Sequence, residues 1–288
     1  GGVRVDHLAG HLAHGGDGGA GLVLGGHAAV ELLAKPRESV VGQREAALLA
    51  PGLGMDRYLD IRQDAEDEQA GLAGGTPRTI EGPLYVAGAP MSEGFTRMDD
   101  GSDDNAETMI LTGQVTDENG NPLVNAVVDV WHANTMGNYS YFDQSQSEYN
   151  LRRRIRTDEN GRYTAQSIIP AGYGCPPEGS TQALLNLLGR HGNRPAHIHF
   201  FISKSGFKHL TTQINLAGDE YTYDDFAFAT REELVVEANR IDDPAQAEGY
   251  GLNKPFTKVE FNIQLVSTDK PELQSRHERK RALEGEAA

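Results

Sequence analysis

Cysteine is almost missing from this chain of 288 residues: Cys175 stands alone. A single thiol excludes an intrachain disulfide and any Cys-x-x-Cys metal knot, and it gives no sign of secretion. With no charged partner in sequence, Cys175 reads as structural. Basic residues are also scarce. Lys and Arg total 26 against 42 Asp and Glu, a formal net charge of -16. That balance excludes nucleic acid and anionic membranes as partners, and a solvated acidic surface is its plain meaning. No apolar run approaches the ~20 residues that a bilayer span needs, and no basic stretch leads into an apolar core at the start. A soluble, cytoplasmic protein is expected, long enough for one or two domains.

Glycine is in excess, and unevenly so. The opening "GGVRVDHLAGHLAHGGDGGAGLVLGG" holds ten glycines in 26 residues. That density opposes a helix or strand interior, because ordering glycine costs much backbone entropy. His7 and His11 have helical i, i+4 spacing, but the surrounding glycines would not hold a chelating helix. Residues 1–44 therefore read as an irregular segment. Over 45–76 the pattern is helical: Glu45 to Ala50 before Pro51, then "MDRYLDIRQDAEDEQAGL". "GGTPRTIEGPLYVAGAP" is an extended connection. "MILTGQVT", a "DENG" turn and "LVNAVVDVWHA" follow as strand, turn, strand. "RRRIRT", a second "DENG" and "RYTAQSIIP" read as a hairpin; "TQALLNLLGRHG" reads as a helix and "REELVVEANR" as a short surface helix. "AHIHFFIS", "HLTTQIN" and "TKVEFNIQLVS" are further strands. The spacing predicts a mainly β chain: a β-sandwich core over 77–267 with N-terminal and peripheral helices, then a charged tail, 268–288.

Chemistry gathers in "GNRPAHIHFF", residues 192–201. On a strand, His197 and His199 share a face about 6.6 Å apart along the chain. Both imidazoles can tip toward one metal ion, which sits about 2.1 Å from each nitrogen. The same pair can equally be two satisfied histidines, so further donors decide. A closed cysteine site is excluded. Two tyrosines lie in unusual settings: Tyr139 in "WHANTMGNYSYFD" and Tyr173 in "PAGYGCPPEG". A phenol with a pKa of about 10 binds as phenolate only to a hard, strongly charged cation such as iron(III). Each tyrosine taken alone also fits an amphipathic core position.

"NTMGNYSYFD", "PAGYGCPPEG" and "RHGNRPAHIHFF", in this order, resemble the intradiol ring-cleavage dioxygenases, and the "GPLYVAGAP" form points to the catechol branch. "TPRTIEGPLYVAGAP" and "LTTQINLAGDEYTYDDFAFATRE" extend the similarity from about residue 45 to about residue 267. The resemblance implies one Fe(III) per chain held by Tyr139, Tyr173, His197 and His199. Tyr141 is the neighbour of Tyr139 in that motif, but the pattern places the ligand at Tyr139. It implies Arg194 beside the substrate and Gln213 behind the iron site, with Tyr173 as the ligand that moves. Leu48, Pro51, Ile80, Pro83, Leu84, Tyr85, Phe226 and Ala227 match pocket-lining positions. The implied reaction joins catechol and O2, breaks the bond between the hydroxylated carbons and yields cis,cis-muconate.

Family members also begin with helices that build a homodimer interface around phospholipid. The glycine-rich start here lacks that apolar period, and a shifted reading frame explains it more simply than a divergent extension. Three competing expectations stand. The first is chlorocatechol or hydroxyquinol as substrate. The second is a non-catalytic transthyretin-like module, suggested by "LTGQVTDENGNPLVNAVVDVW". The third is a zinc hydrolase or lyase in which His191 or His209 joins the histidine pair.

Overall fold

Alternation along one strand organises the molecule. In "HIHFFIS" the residues Ile198, Phe200 and Ile202 enter the main core, while His197, His199 and Phe201 lie on the other face, and all six are buried. The computed structural model describes residues 47–103 and 106–274. The expected irregular segment 1–44, with His7 and His11, and residues 275–288 of the charged tail lie outside the described residues.

The strands run in chain order as β1 Met91–Glu93, β2 Phe95–Arg97, β3 Thr108–Thr116, β4 Val127–His132, β5 Arg152–Arg156, β6 Arg162–Ile168 and β7 Tyr173–Gly174. β8 Asn193–Arg194, β9 His197–Ser203, β10 Leu210–Leu216, β11 Val235–Val236, β12 Ala238–Ile241, β13 Phe256–Glu260 and β14 Ile263–Gln264 follow. One sheet is ordered β1-β5-β4-β9-β10-β11 and the other β12-β13-β3-β6-β2, with β14 beside β3. Val128, Val130, Ile198, Phe200 and Ile214 of the first sheet share one apolar cluster with Met109, Leu111, Tyr163, Ala165 and Val259 of the second. Two sheets facing each other across such a layer make a β-sandwich. Residues 47–52 are helical, and helices α1 Met55–Gln69 and α2 Ser180–Leu187 lie at the periphery. Among the described residues, no helix is long and apolar enough to cross a membrane.

Three elements differ from the sequence reading. β5 and β6 do not form a hairpin: β5 pairs with β4 and β1, whereas β6 pairs with β3 and β2. β3 and β4 likewise lie in different sheets. Both "DENG" turns thus carry the chain across the sandwich. In each, the leading aspartate accepts two backbone N–H groups (Asp117 from Asn119 and Asn121, Asp158 from Asn160 and Arg162) and the glycine takes a positive φ of 82° or 69°. Such a turn chemistry is local and does not choose the partner strand. "REELVVEANR" holds a 3₁₀ turn, Glu232–Leu234, and then strands β11 and β12. Its β-branched pair Val235–Val236 joins the sheet edge beside β10, where pairing outweighs helix propensity.

Candidate active site

The outer face of the first sheet supplies the base of the site. Cross-strand register sets Trp131 and Gln213 on either side of His199, and Asn215 beside His197. The two imidazoles are held differently. His197 Nδ1 lies 2.6 Å from the Pro195 carbonyl, which makes Nδ1 the N–H donor and leaves the Nε2 lone pair free to accept. His199 Nδ1 is buried without a hydrogen-bond partner among the described residues. Its ring instead lies flat against the Trp131 indole, with centroids 4.9 Å apart and planes 4° from parallel. Tyr85 and Phe201 brace the far edges of that indole at 4.9 and 4.7 Å.

Two loops bring the tyrosines over this face. After β4, Asn134 Oδ1 accepts the backbone N–H groups of Met136 and Asn138, each at 2.9 Å, and the turn passes through Gly137 at φ 77°. A Cβ at Gly137 would stand 2.7 Å from Tyr173 Cβ and 2.8 Å from the Gly172 carbonyl, so glycine is what lets the two loops touch. Tyr139 follows, buried. Arg152, also buried, reaches Ser140 Oγ and the Ser140 and Leu84 carbonyls at 2.9 to 3.1 Å, with its guanidinium carbon 5.8 Å from the Tyr139 ring centroid. Tyr173, half-buried, sits in β7, whose partner β8 presents Arg194 directly opposite.

The four predicted ligands converge. Tyr139 Oη donates to His197 Nε2 at 3.3 Å, and Arg194 Nη1 lies 3.1 Å from the same nitrogen and 3.4 Å from Tyr173 Oη. Ring centroids of Tyr139 and Tyr173 are 5.7 Å apart, and those of His197 and His199 4.7 Å. Burial, with Arg194 next, pushes the His197 imidazolium down to about 3, and burial, with His197 next, holds His199 well below its ordinary range. Both rings are therefore neutral, as metal ligands must be. Burial raises the Tyr139 phenol well above its ordinary value. Burial opposes the Arg194 charge, but Asp225 overcomes it and holds the guanidinium above its usual range. Asp225 accepts from Arg194 Nε and Nη2 at 3.1 Å each, Gln213 Oε1 accepts from Nη2 at 2.8 Å, and Gln213 Nε2 donates to Asn215.

The predicted pocket residues separate into two groups. Ile80, Phe226 and Ala227 pack in one apolar cluster with Leu185 and Leu48. Leu84 and Tyr85 pack against Trp131, Tyr139 and Phe201 on the other side. Pro51 is buried on the helical residues 47–52, and Ile80, Pro83 and Tyr85 border a cavity of about 990 Å³ beside α1. The Tyr85 hydroxyl is committed to Asp129 at 2.8 Å, so Tyr85 offers its ring rather than its oxygen. A second cavity, of about 540 Å³, is bordered by Tyr173, Arg194 and Tyr221. Sequence reasoning missed Asp225, Arg152 and the stacking role of Trp131. Asp225 sat inside the quoted "YDDFAF" stretch, but nothing local distinguishes it from Asp224. His191 is engaged by Asp224 and the Asn193 N–H, and His209 packs on Phe201. Among the described residues, no three His, Cys, Asp or Glu side chains group to hold a metal. Among the described residues, neither His191 nor His209 therefore joins the histidine pair as the zinc reading expects.

The Dioxygenase family profile matches residues 80–267. The chain belongs to the intradiol dioxygenases. A catechol 1,2-dioxygenase of Acinetobacter baylyi is 61% identical over 225 residues, covering 77% of this chain and 72% of that protein. The crystal structure of the wild-type catechol 1,2-dioxygenase of Acinetobacter radioresistens superposes with a TM-score of 0.83 at 56% identity, covering 89% of this chain and 82% of that one. A chlorocatechol 1,2-dioxygenase of Rhodococcus opacus is 39% identical, covering 66% of this chain and 74% of that protein. The intradiol dioxygenase family implies a non-haem iron, and the residues fit it. Two donors, Tyr139 Oη and Arg194 Nη1, crowd the one lone pair of His197 Nε2, and the phenol oxygens beside it are hard donors suited to a trivalent cation.

Proposed function

We propose that this intradiol dioxygenase cleaves catechol between its two hydroxylated carbons with O2, giving cis,cis-muconate. The convergence of two phenol oxygens and two neutral imidazoles beside a buried, permanently charged arginine carries the reading. Tyr139, Tyr173, His197 and His199 would hold one Fe(III), which would supply Lewis acidity toward the catechol. Two phenolates offset most of the charge of that cation, which makes its burial tolerable.

The two tyrosines divide the work. Tyr139 is wedged behind Arg152 and 4% exposed, which suits a ligand that stays. Tyr173 is half-buried beside the 540 Å³ cavity, which gives it room to move and to take a catechol proton at Oη. Arg194 stands 3.4 Å from that oxygen with its charge fixed by Asp225, placed to stabilise negative charge that builds on the ring and on oxygen. Its Nε and Nη2 donors are taken by Asp225 and Gln213, so Nη1 alone is directed toward Tyr173 and His197. The walls of Leu48, Pro51, Ile80, Pro83, Leu84, Phe226 and Ala227 are apolar. An uncharged catechol fits them better than a carboxylated one, and the lower identity to the chlorocatechol enzyme favours catechol itself.

Leu53, Met55, Tyr58, Leu59 and Ile61 are each at least half exposed along and just before α1, an apolar strip that supports a homodimer through this helix, with phospholipid as the accompanying expectation. The chemical reading is tested by a visible spectrum before and after adding catechol without oxygen. A tyrosinate-to-iron(III) band that moves to longer wavelength supports it. A protein that stays colourless after iron(III) reconstitution refutes it.

A further inference from the structure

Arg190 joins two segments of the proposed pocket wall. Its Nη1 donates to the Gly52 carbonyl at 2.6 Å and its Nη2 to the Phe226 carbonyl at 2.9 Å. Gly52 directly follows Pro51, on the turn that also carries Leu48. Phe226 and its neighbour Ala227 form a second segment of that wall, packed in the same apolar cluster as Leu48. The backbones of the two segments are thus held by one rigid fork, and they are in direct contact as well: a Cβ on Gly52 would meet the Phe226 ring at 3.3 Å.

The arginine is itself firmly placed. Just past helix α2, Gly189 takes φ 67°, and the Arg190 N–H closes the helix end on the Leu185 carbonyl at 2.8 Å. This is a Schellman stop, and it fixes the direction in which the side chain leaves. The far side of the guanidinium lies over the Phe228 ring, 4.3 Å from its centroid. Phe228 has φ 54°, an uncommon backbone for a bulky residue that the surroundings must enforce. Arg190 and the Phe228 N–H bond to the Asp225 carbonyl, at 2.9 Å, enforce it together. Lysine could not reproduce this, since one ammonium lacks both the two-pronged geometry and the flat face.

We propose that Arg190 is a specificity-determining clamp: it ties the Leu48–Pro51 segment of the proposed pocket wall to the Phe226–Ala227 segment, and so limits the size of catechol that is accepted. The inference rests on the pocket assigned above. Removing the clamp frees the turn at residues 48–54 to move outward, and ring substituents then fit.

The test compares iron-loaded wild-type, Arg190→Met and Phe228→Leu chains on catechol and 4-tert-butylcatechol. For Arg190→Met, the ratio of kcat/KM for the bulky substrate to that for catechol should rise about tenfold or more, the scale on which a hydrophobic pocket discriminates by size. Phe228→Leu keeps both hydrogen bonds and removes the stacking platform together with the ring's packing on Gly54, so its ratio should rise by less. It stands in if Arg190→Met does not fold. A purely structural loss lowers both substrates together and leaves the ratio where it was. Hydrogen exchange on the metal-free chains reads the clamp without any turnover: the Leu53 and Gly54 amides, bonded to the Leu49 and Pro51 carbonyls, should exchange faster in both variants. Unchanged exchange, or a ratio within twofold of wild type, overturns the clamp. Failure of the wild-type chain to cleave catechol overturns the proposed activity instead, and the exchange result still decides the clamp.

Discussion

Replacing Asp225 with asparagine removes one charge and almost no volume, and the structure sets the cost. Both members of the Arg194–Asp225 pair are nearly inaccessible, with side chains 2% and 1% exposed. The carboxylate accepts Arg194 Nε and Nη2, and also the Ala227 N–H at 3.0 Å. Asparagine keeps one acceptor oxygen and turns an NH2 group toward a guanidinium N–H. Breaking one side of a buried pair costs about 3–5 kcal/mol. Gln213 and Tyr173 still face the guanidinium, so the lower end, about 3 kcal/mol, is expected. Displacing Arg194 by part of an ångström should also lower kcat by about 10²-fold, the scale for one electrostatic donor.

The acid limb supplies a further signature. Burial raises the Asp225 carboxyl, but Arg194 outweighs it and the net direction is downward. A depressed carboxylate contributes stability above its unfolded value, and that contribution is lost as pH falls through the lower folded value. The stability gap between wild type and Asp225→Asn should therefore be full at pH 7 and narrow progressively once pH falls below about 3.8, toward the lower folded value. Urea unfolding of the metal-free chains across pH measures it. A gap below about 0.5 kcal/mol at pH 7, in the range of ordinary surface changes, would refute the argument.

Gly137→Ala should cost about 2 kcal/mol and lower iron content, because the new methyl would stand 2.7 Å from Tyr173 Cβ on a left-handed backbone; thermal unfolding and metal analysis check it. Asp129→Asn should have the opposite effect. Burial lifts the Asp129 carboxyl to about 7, so its ionised form penalises the fold as pH climbs from about 4 to 7. The neutral variant should be more stable at pH 8 by up to about 4 kcal/mol and no different near pH 4, as read by denaturant midpoints. Ser167→Ala should cost about 1–2 kcal/mol by leaving buried His132 Nε2 without its 2.8 Å partner, measured by equilibrium unfolding.

Part of the candidate site could be read from the chain because its parts are local. His197 and His199 lie two apart on one strand, and each tyrosine sits in a loop marked by glycine and proline, so periodicity and turn chemistry mark them as candidates, while the family resemblance chose among them. Arg152 could not be read in this way. It opens a run of three arginines that looks like a solvated strand, yet it is 1% exposed because the Tyr139 loop closes over it. The sandwich was likewise legible from strand count, but its connections were not. The strand pairs flanking each "DENG" have the pattern of a hairpin, and only the competition between the two sheets for β3, β4, β5 and β6 sends the partners apart. Val235–Val236 shows the same rule at a sheet edge, where a free neighbour decided between helix and strand.

The chain carries a single tryptophan, and that indole lies face to face with His199 at 4.9 Å. All of the protein's indole emission therefore originates next to one proposed ligand. A bound open-shell cation at that ring would quench it, whereas a closed-shell ion such as zinc would not. Excitation near 295 nm would then follow loading, chelation and metal exchange in the unlabelled protein, continuously and at low concentration. The packing that orients one imidazole also makes the molecule its own occupancy gauge.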